Sequence, residues 1–263
     1  VDLLVRNEDV PPELSLTIDR QVLSESATGF QVATATITRT KDDFSEPVEV
    51  FLTTDSTGQV TLPSSVVIPA SEDQAVFSIG VIDDLLADGD QQIEVEANAD
   101  RYIGSLVNLT VIDDEVPTIF LSLSSAVIDE SSGSAATQLV LQRNTFDLSE
   151  SVVVELSSTD VDILMPERAT FGAGEKSVTV SVGVQDNMVL EGDRFVQLGV
   201  SALGFVAEPV ELRIADNEAA AIRLNENAGT VIVGELLGED QFGVSLAAQP
   251  LSDVVVKVSS DSS

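Results

Sequence analysis

Apolar residues at every second position, in segments that return at nearly constant spacing, constrain this chain most. Val48, Val50 and Leu52 form one such set, Val152, Val154 and Leu156 a second, and Val254, Val256 and Val258 a third. Alternation of this kind puts one face of an extended segment in a core and the other in water, as in half-buried antiparallel strands. The segments around them repeat. Ser45–Leu52 returns 104 residues later as Ser149–Leu156, and Ser78–Asp84 returns 103 residues later as Ser181–Asn187. Val22–Glu25 returns as Val127–Glu130. A period of about 100 residues is the size of one small domain.

Each copy holds about seven strand-like runs between turn residues, which predicts an all-β chain of tandem immunoglobulin-like Greek-key β-sandwiches. In the first copy the strands are expected near 13–24, 30–40, 47–54, 60–68, 74–83, 90–97 and 104–112. Residues 10–115 and 116–218 then form two sandwiches, 1–9 the end of a preceding repeat and 219–263 the first half of a third. The chain reads as a slice of a longer array whose edges neighbouring repeats or other copies, in an oligomer or filament, would cover.

Composition narrows the function. The 263 residues carry 45 acidic and 12 basic side chains, a net charge of −33. Such a surface repels nucleic-acid phosphate and anionic lipid. With 43% hydrophobic residues the chain is too apolar to be a disordered acidic tail. It has no Cys and no His, which excludes disulfides and removes the usual zinc ligands and proton shuttle. No apolar stretch is long enough to span or insert into a membrane.

The acids are not scattered. A Glu closes the first strand region at Glu25, Glu130 and Glu226. An Asp follows the third strand at Asp55, at Asp160 after a one-residue shift, and at Asp261. A loop after the fifth strand carries Asp83, Asp84, Asp88 and Asp90 in one copy, and Asp186, Asn187, Glu191 and Asp193 in the next. An acidic tripeptide ends each unit: Asn7-Glu8-Asp9, Asp113-Asp114-Glu115 and Asp216-Asn217-Glu218. In a Greek-key sandwich these four elements leave the sheets at one pole. Carboxylates brought together there must bind a proton or a cation. Calcium, which takes six to eight oxygens in flexible geometry, suits such a cluster better than magnesium.

The strand-ending Glu, the acidic loop with its Gly-Asp and the joint after the last strand resemble the Calx-β family, whose members include regulatory domains of sodium–calcium exchangers and tandem modules of large bacterial surface proteins. The resemblance implies Ca2+ ligands at Glu25, Asp55, Asp83, Asp84, Asp88, Asp113, Asp114 and Glu115 in the first copy. In the second it implies Glu130, Asp160, Asp186, Glu191, Asp216 and Glu218, with Asn187 and Asn217 as departures that remove charge. It also implies an extracellular, cell-surface setting and metal at the joints between neighbouring repeats. The expected function is a calcium-stiffened structural array, as in an adhesin stalk, a matrix component or a filament. The alternative is a cell-surface module that binds glycan or protein, for which the absence of Trp and the single Tyr102 offer few aromatic platforms. With no His or Cys and no nucleophile or phosphate-loop motif, an enzyme is not expected.

Overall fold

The computed structural model describes residues 11–27, 32–40, 44–225 and 242–259. The expectations placed on Asn7-Glu8-Asp9, Glu226 and Asp261 lie outside these residues. The chain divides into two compact units that meet in sequence at Val116 and Pro117, with Asn144–Asp147 grouped with the first.

Unit 1 contains β1 (Leu14–Ile18), β2 (Val22–Ser24), β3 (Ala33–Arg39), β4 (Val48–Thr54), β5 (Val60–Thr61), β6 (Ser65–Ile68), β7 (Gln74–Val81), β8 (Gln91–Asn98) and β9 (Ser105–Ile112). They form two sheets, β1-β3-β7-β5 and β2-β9-β8-β4-β6. Leu16, Ile37, Phe77 and Ile79 of the first sheet face Val50, Ile68, Val95 and Val111 of the second in one core. The inward positions are those that the period-two pattern picks out, so β3 alternates strictly between buried and half-buried residues.

Two expected strands are each split between the sheets. The segment near 13–24 is β1, antiparallel to β3, and then β2, which crosses over and runs parallel to β9. The segment near 60–68 is β5 against β7 and β6 against β4, with Pro63 in the break. Proline has no N–H to give a ladder and marks such a switch. Hydropathy alternation does not reveal a change of sheet, because both halves keep pointing into the same core.

Unit 2 repeats the plan with β10 (Ile119–Leu123), β11 (Val127–Asp129), β12 (Thr137–Arg143), β13 (Val152–Ser158), β14 (Ile163–Leu164), β15 (Arg168–Phe171), β16 (Ser177–Val184), β17 (Val189–Leu190), β18 (Arg194–Ser201) and β19 (Val210–Ala215). Its sheets are β10-β12-β16-β14 and β11-β19-β18-β13-β15. A 3-10 helix, Glu130–Ala135, follows β11. Both units are thus immunoglobulin-like Greek-key sandwiches. Beyond them lie β20 (Ile222–Asn225) and β21 (Gly243–Leu246), an antiparallel pair, and β22 (Gln249–Pro250), parallel to β17. Val254, Val256 and Val258 form no strand and are exposed. An alternating segment becomes a strand only through its lateral neighbours, and none pairs with it among the described residues.

One core feature escapes a hydropathy reading. Arg39 and Arg143 end β3 and β12 on the inward face, and each is only 2% exposed. Arg39 donates to the carbonyls of Glu46 at 2.8 Å, Pro69 at 3.1 Å and Glu72 at 2.7 Å. Arg143 donates to their repeat counterparts, Glu150 at 3.2 Å, Gly172 at 3.4 Å and Glu175 at 2.9 Å. The guanidinium groups lie over Phe44 and Phe171, at 4.9 and 5.3 Å from the ring centres. Each arginine therefore ties the loops of one pole to the end of a central strand. Replacing Arg143 by Ala strands buried carbonyls and is expected to cost about 3 kcal/mol or more, read as an earlier urea midpoint for unit 2.

Candidate metal centre

The ladders dictate which side chains meet at the opposite pole of unit 1. Ser24 of β2 pairs in parallel with Ile112 of β9, so Glu25 and Asp113 leave the sheet side by side. The Glu25 N–H donates to the Ile112 carbonyl at 3.1 Å. Gln91 of β8 lies opposite Val111, which brings the Asp83–Asp90 loop against the same point. Gly89, at φ 75°, turns its N–H onto the Asp113 carboxylate, a backbone conformation that glycine reaches without strain. Asp84 accepts from the Leu86 N–H at 2.6 Å, and Asp113 from the Glu115 N–H at 2.9 Å.

Oxygens of Glu25, Asp113 and Glu115 lie within 4.8 Å of one another, as do those of Asp83, Asp114 and Glu115. Glu115 belongs to both groups. Gln59, buried beside them, donates its side-chain N–H to Asp88 at 3.2 Å. Asp55 stands apart from the groups, with one oxygen accepting from the Glu94 N–H at 3.0 Å. Among the described residues no Lys or Arg forms an ion pair with any of these acids.

The electrostatic cost is visible. Glu25 is 1% exposed, and its Oε2 has no hydrogen-bond partner; Asp88 Oδ1, Glu115 Oε2 and Gln59 Oε1 are also buried without one. Burial, then the charges of Asp84, Asp88, Asp113 and Glu115, push the Glu25 carboxyl from 4.5 up to about 7. Burial and the neighbouring Asp113 and Asp114 raise Glu115 to about 6. Burial also raises Asp88. Asp113 moves the other way, because the backbone N–H groups of Gly89 and Glu115 outweigh its own burial. Buried acceptor oxygens that lack donors call for a proton, a water or a cation.

Unit 2 has the same frame and a different solution. Asp129 pairs with Ala215, so Glu130 and Asp216 emerge together. The 3-10 helix that begins with Glu130 rests directly on Gly183, where a Cβ would come within 2.1 Å of the Gly133 carbonyl. Glu191 and Gly192 donate N–H groups to Asp216, and Glu218 does so at 2.8 Å. Glu130, Asp216 and Glu218 again bring oxygens within 4.8 Å of one another. The donors differ, however. Arg194 pairs with Glu130 at 3.0 Å, Asp160 at 3.2 Å, Asp162 at 3.3 Å and Glu191 at 3.0 Å. Burial works against its charge, but these four acids hold it firmly protonated. Asn187 donates to Glu130 at 2.6 Å, and Asn217 to Asp186 at 3.3 Å. Burial still raises Glu130, even with Arg194 beside it.

The backbone also refines the alignment of the copies. Thr159 exchanges hydrogen bonds with Gln197 as Asp55 does with Glu94, so Thr159 stands in the place of Asp55. Asp160, one residue on, reaches Arg194 instead. Arg194 and Gln59 are residues of this pole that a search for acidic ligands passes over, and Asp162, two residues beyond Asp160, is not among the acids that the sequence alignment of the copies picks out. Arg194 directly follows the Glu191-Gly192-Asp193 motif, where the first copy has Gln91, and that exchange is the legible signal.

No family model matches the sequence, and no curated protein matches it. Among solved structures, CBD12 from CALX1.2 is similar over 77% of this chain and 99% of its own, with 13% identity and a TM-score of 0.34. The calcium binding domain CBD12 of CALX1.1 matches over 70% and 80%, with 16% identity and a TM-score of 0.30. The D00-D0 domain of intimin matches over 76% and 98%, with 14% identity and a TM-score of 0.35.

Protonation of Glu25 has a definite sign. Its carboxyl is raised from 4.5 to about 7, so between these values the folded state binds more protons than the unfolded. Metal-free unit 1 is therefore expected to gain stability as pH falls through that window and to lose it as pH rises. Glu25→Gln removes the buried charge and should flatten this dependence, raising metal-free stability near pH 8 by roughly 1–3 kcal/mol. Urea titrations in chelator at a series of pH values check both.

Proposed function

We propose that this chain is a calcium-binding structural module of Calx-β type, a stretch of a tandem array on an extracellular bacterial protein. The observation that carries the reading is the buried Glu25 carboxylate, with an unpartnered oxygen, facing Asp113 and Glu115. A hard divalent cation accepts several carboxylate oxygens at once and offsets the burial and the repulsion that raise the Glu25 pKa. The irregular donor set, built from a strand end, a loop and the segment after β9, favours the adaptable shell of calcium over the strict octahedron of magnesium. Glu25, Asp83, Asp84, Asp88, Asp113, Asp114 and Glu115 are the proposed ligands in unit 1. In unit 2 Glu130, Asp216 and Glu218 are the proposed set, with Asp186 beside them.

The acids after β9 are also the last residues of unit 1 before Val116 and Pro117. Metal bound there holds the exit of the sandwich in place, and in the proposed array it stiffens the passage from one repeat to the next. The charge of −33 keeps such an array soluble, extended and away from anionic surfaces.

Thermal unfolding tests the assignment. Millimolar calcium after chelation should raise the unfolding temperature of unit 1, and equal magnesium should do so far less. When free calcium exceeds its dissociation constant a hundredfold the gain is about 2.7 kcal/mol. The double replacement Asp113→Asn with Glu115→Gln should abolish most of it. Coincident curves in chelator, calcium and magnesium would reject calcium binding.

A further inference from the structure

The two units solve one electrostatic problem with different cations. We infer that Arg194 is a built-in cation of unit 2, standing where unit 1, with Gln91 at the equivalent position, takes a metal ion between Glu25, Gln59 and Asp88. The inference rests on the calcium reading of unit 1 and adds the residue that decides whether a pole takes one ion more or supplies that charge itself.

The repeat register makes the comparison residue by residue. Glu191-Gly192-Asp193-Arg194 lies 103 residues after Asp88-Gly89-Asp90-Gln91. The Gln185 N–H donates to the Asp162 carbonyl at 2.9 Å, as the Ile82 N–H does to the Gln59 carbonyl at 3.0 Å. Asp162 therefore stands in the place of Gln59, Glu191 in that of Asp88, and Glu130 in that of Glu25. In unit 2 Arg194 contacts Glu130, Asp162 and Glu191. In unit 1 the counterparts of these three residues each carry a buried oxygen without a partner: Glu25 Oε2, Gln59 Oε1 and Asp88 Oδ1; of the three in unit 2 only Glu130 keeps one, Oε2, its Oε1 being held by Arg194 and Asn187. Glu25 and Gln59 are 1% and 7% exposed. Water therefore does not readily supply the missing donor.

Gln91 does not fill the gap. Its side-chain N–H groups are spent on the carbonyls of Asp88 and Gly89, at 3.1 and 3.0 Å. A guanidinium would satisfy several oxygens at once, and a metal ion would do the same. Gln59 suits the metal, because its amide offers a neutral oxygen where Asp162 offers a second charge to Arg194. The asparagines agree with this division. Asn187 and Asn217 present amide donors to Glu130 and Asp186, where unit 1 has Asp84 and Asp114. Unit 2 thus carries its own positive charge at this pole, and among the described residues unit 1 carries none.

Reciprocal replacements in the full chain test the assignment, with calcium titration calorimetry and unfolding in chelator as readouts. Gln91→Arg should lower calcium uptake by one ion per chain and raise the unfolding temperature of unit 1 in chelator. Arg194→Gln should add one ion and make unit 2 unfold earlier in chelator, with recovery in calcium. Unchanged uptake in Gln91→Arg, or uptake that falls while metal-free stability does not rise, would overturn the inference and leave the calcium reading intact. Should Arg194→Gln fail to fold, Gln91→Arg still decides. No calcium uptake by the unaltered chain overturns both.

Discussion

Repulsion among carboxylates that the strand order forces together is the constraint on which the rest depends. Parallel pairing of β2 with β9 and antiparallel pairing of β9 with β8 fix Glu25, the Asp83–Asp90 loop and Asp113 at one point. The acids cannot move apart without breaking ladder hydrogen bonds, so the energy must be met by a proton, a cation or a donor. Each unit can be read as an answer to that requirement. Unit 1 raises the Glu25 pKa and leaves oxygens open. Unit 2 inserts a guanidinium and two amides, and leaves oxygens open only on Glu130 and Glu218 among the described residues of this pole.

The opposite pole meets a related demand in the same way in both copies, apart from which ring lies beneath the guanidinium. There the groups to be satisfied are backbone carbonyls, and Arg39 and Arg143 satisfy them from equivalent positions with equivalent partners. Partial negative charges of carbonyls suit one fixed cation whose planar fork reaches several acceptors. Full carboxylate charges at the other pole exceed what neutral donors offset, and there the two copies carry different donors.

The fold was legible because its information is local and doubled. Val48, Val50 and Leu52 show one period, their partners 104 residues on show the same one, and both lie on the inner face of a strand. The sheet switches at Asp19–Gln21 and Pro63 were not legible, since alternation records which way a side chain points and not which strand lies beside it. At the site, the convergence of Glu25, Asp113 and Glu115 follows from topology alone. The roles of Gln59 and Arg194 do not, because a search for acids reads charge of one sign, and their meaning comes from the oxygens around them. Asp160 illustrates the same limit: sequence spacing set it beside Asp55, and backbone hydrogen bonds give that place to Thr159.

The exchange of Gln91 for Arg194 has a consequence at the level of the gene. Glutamine codons CAA and CAG become arginine codons CGA and CGG through one base change. If these two side chains set whether a pole relies on metal, a repeat can shift between metal-reliant and self-neutralised without passing through an unfolded intermediate sequence. An array of such modules could then distribute rigid and ion-responsive segments along its length by point mutation, with no change in repeat number or sheet topology.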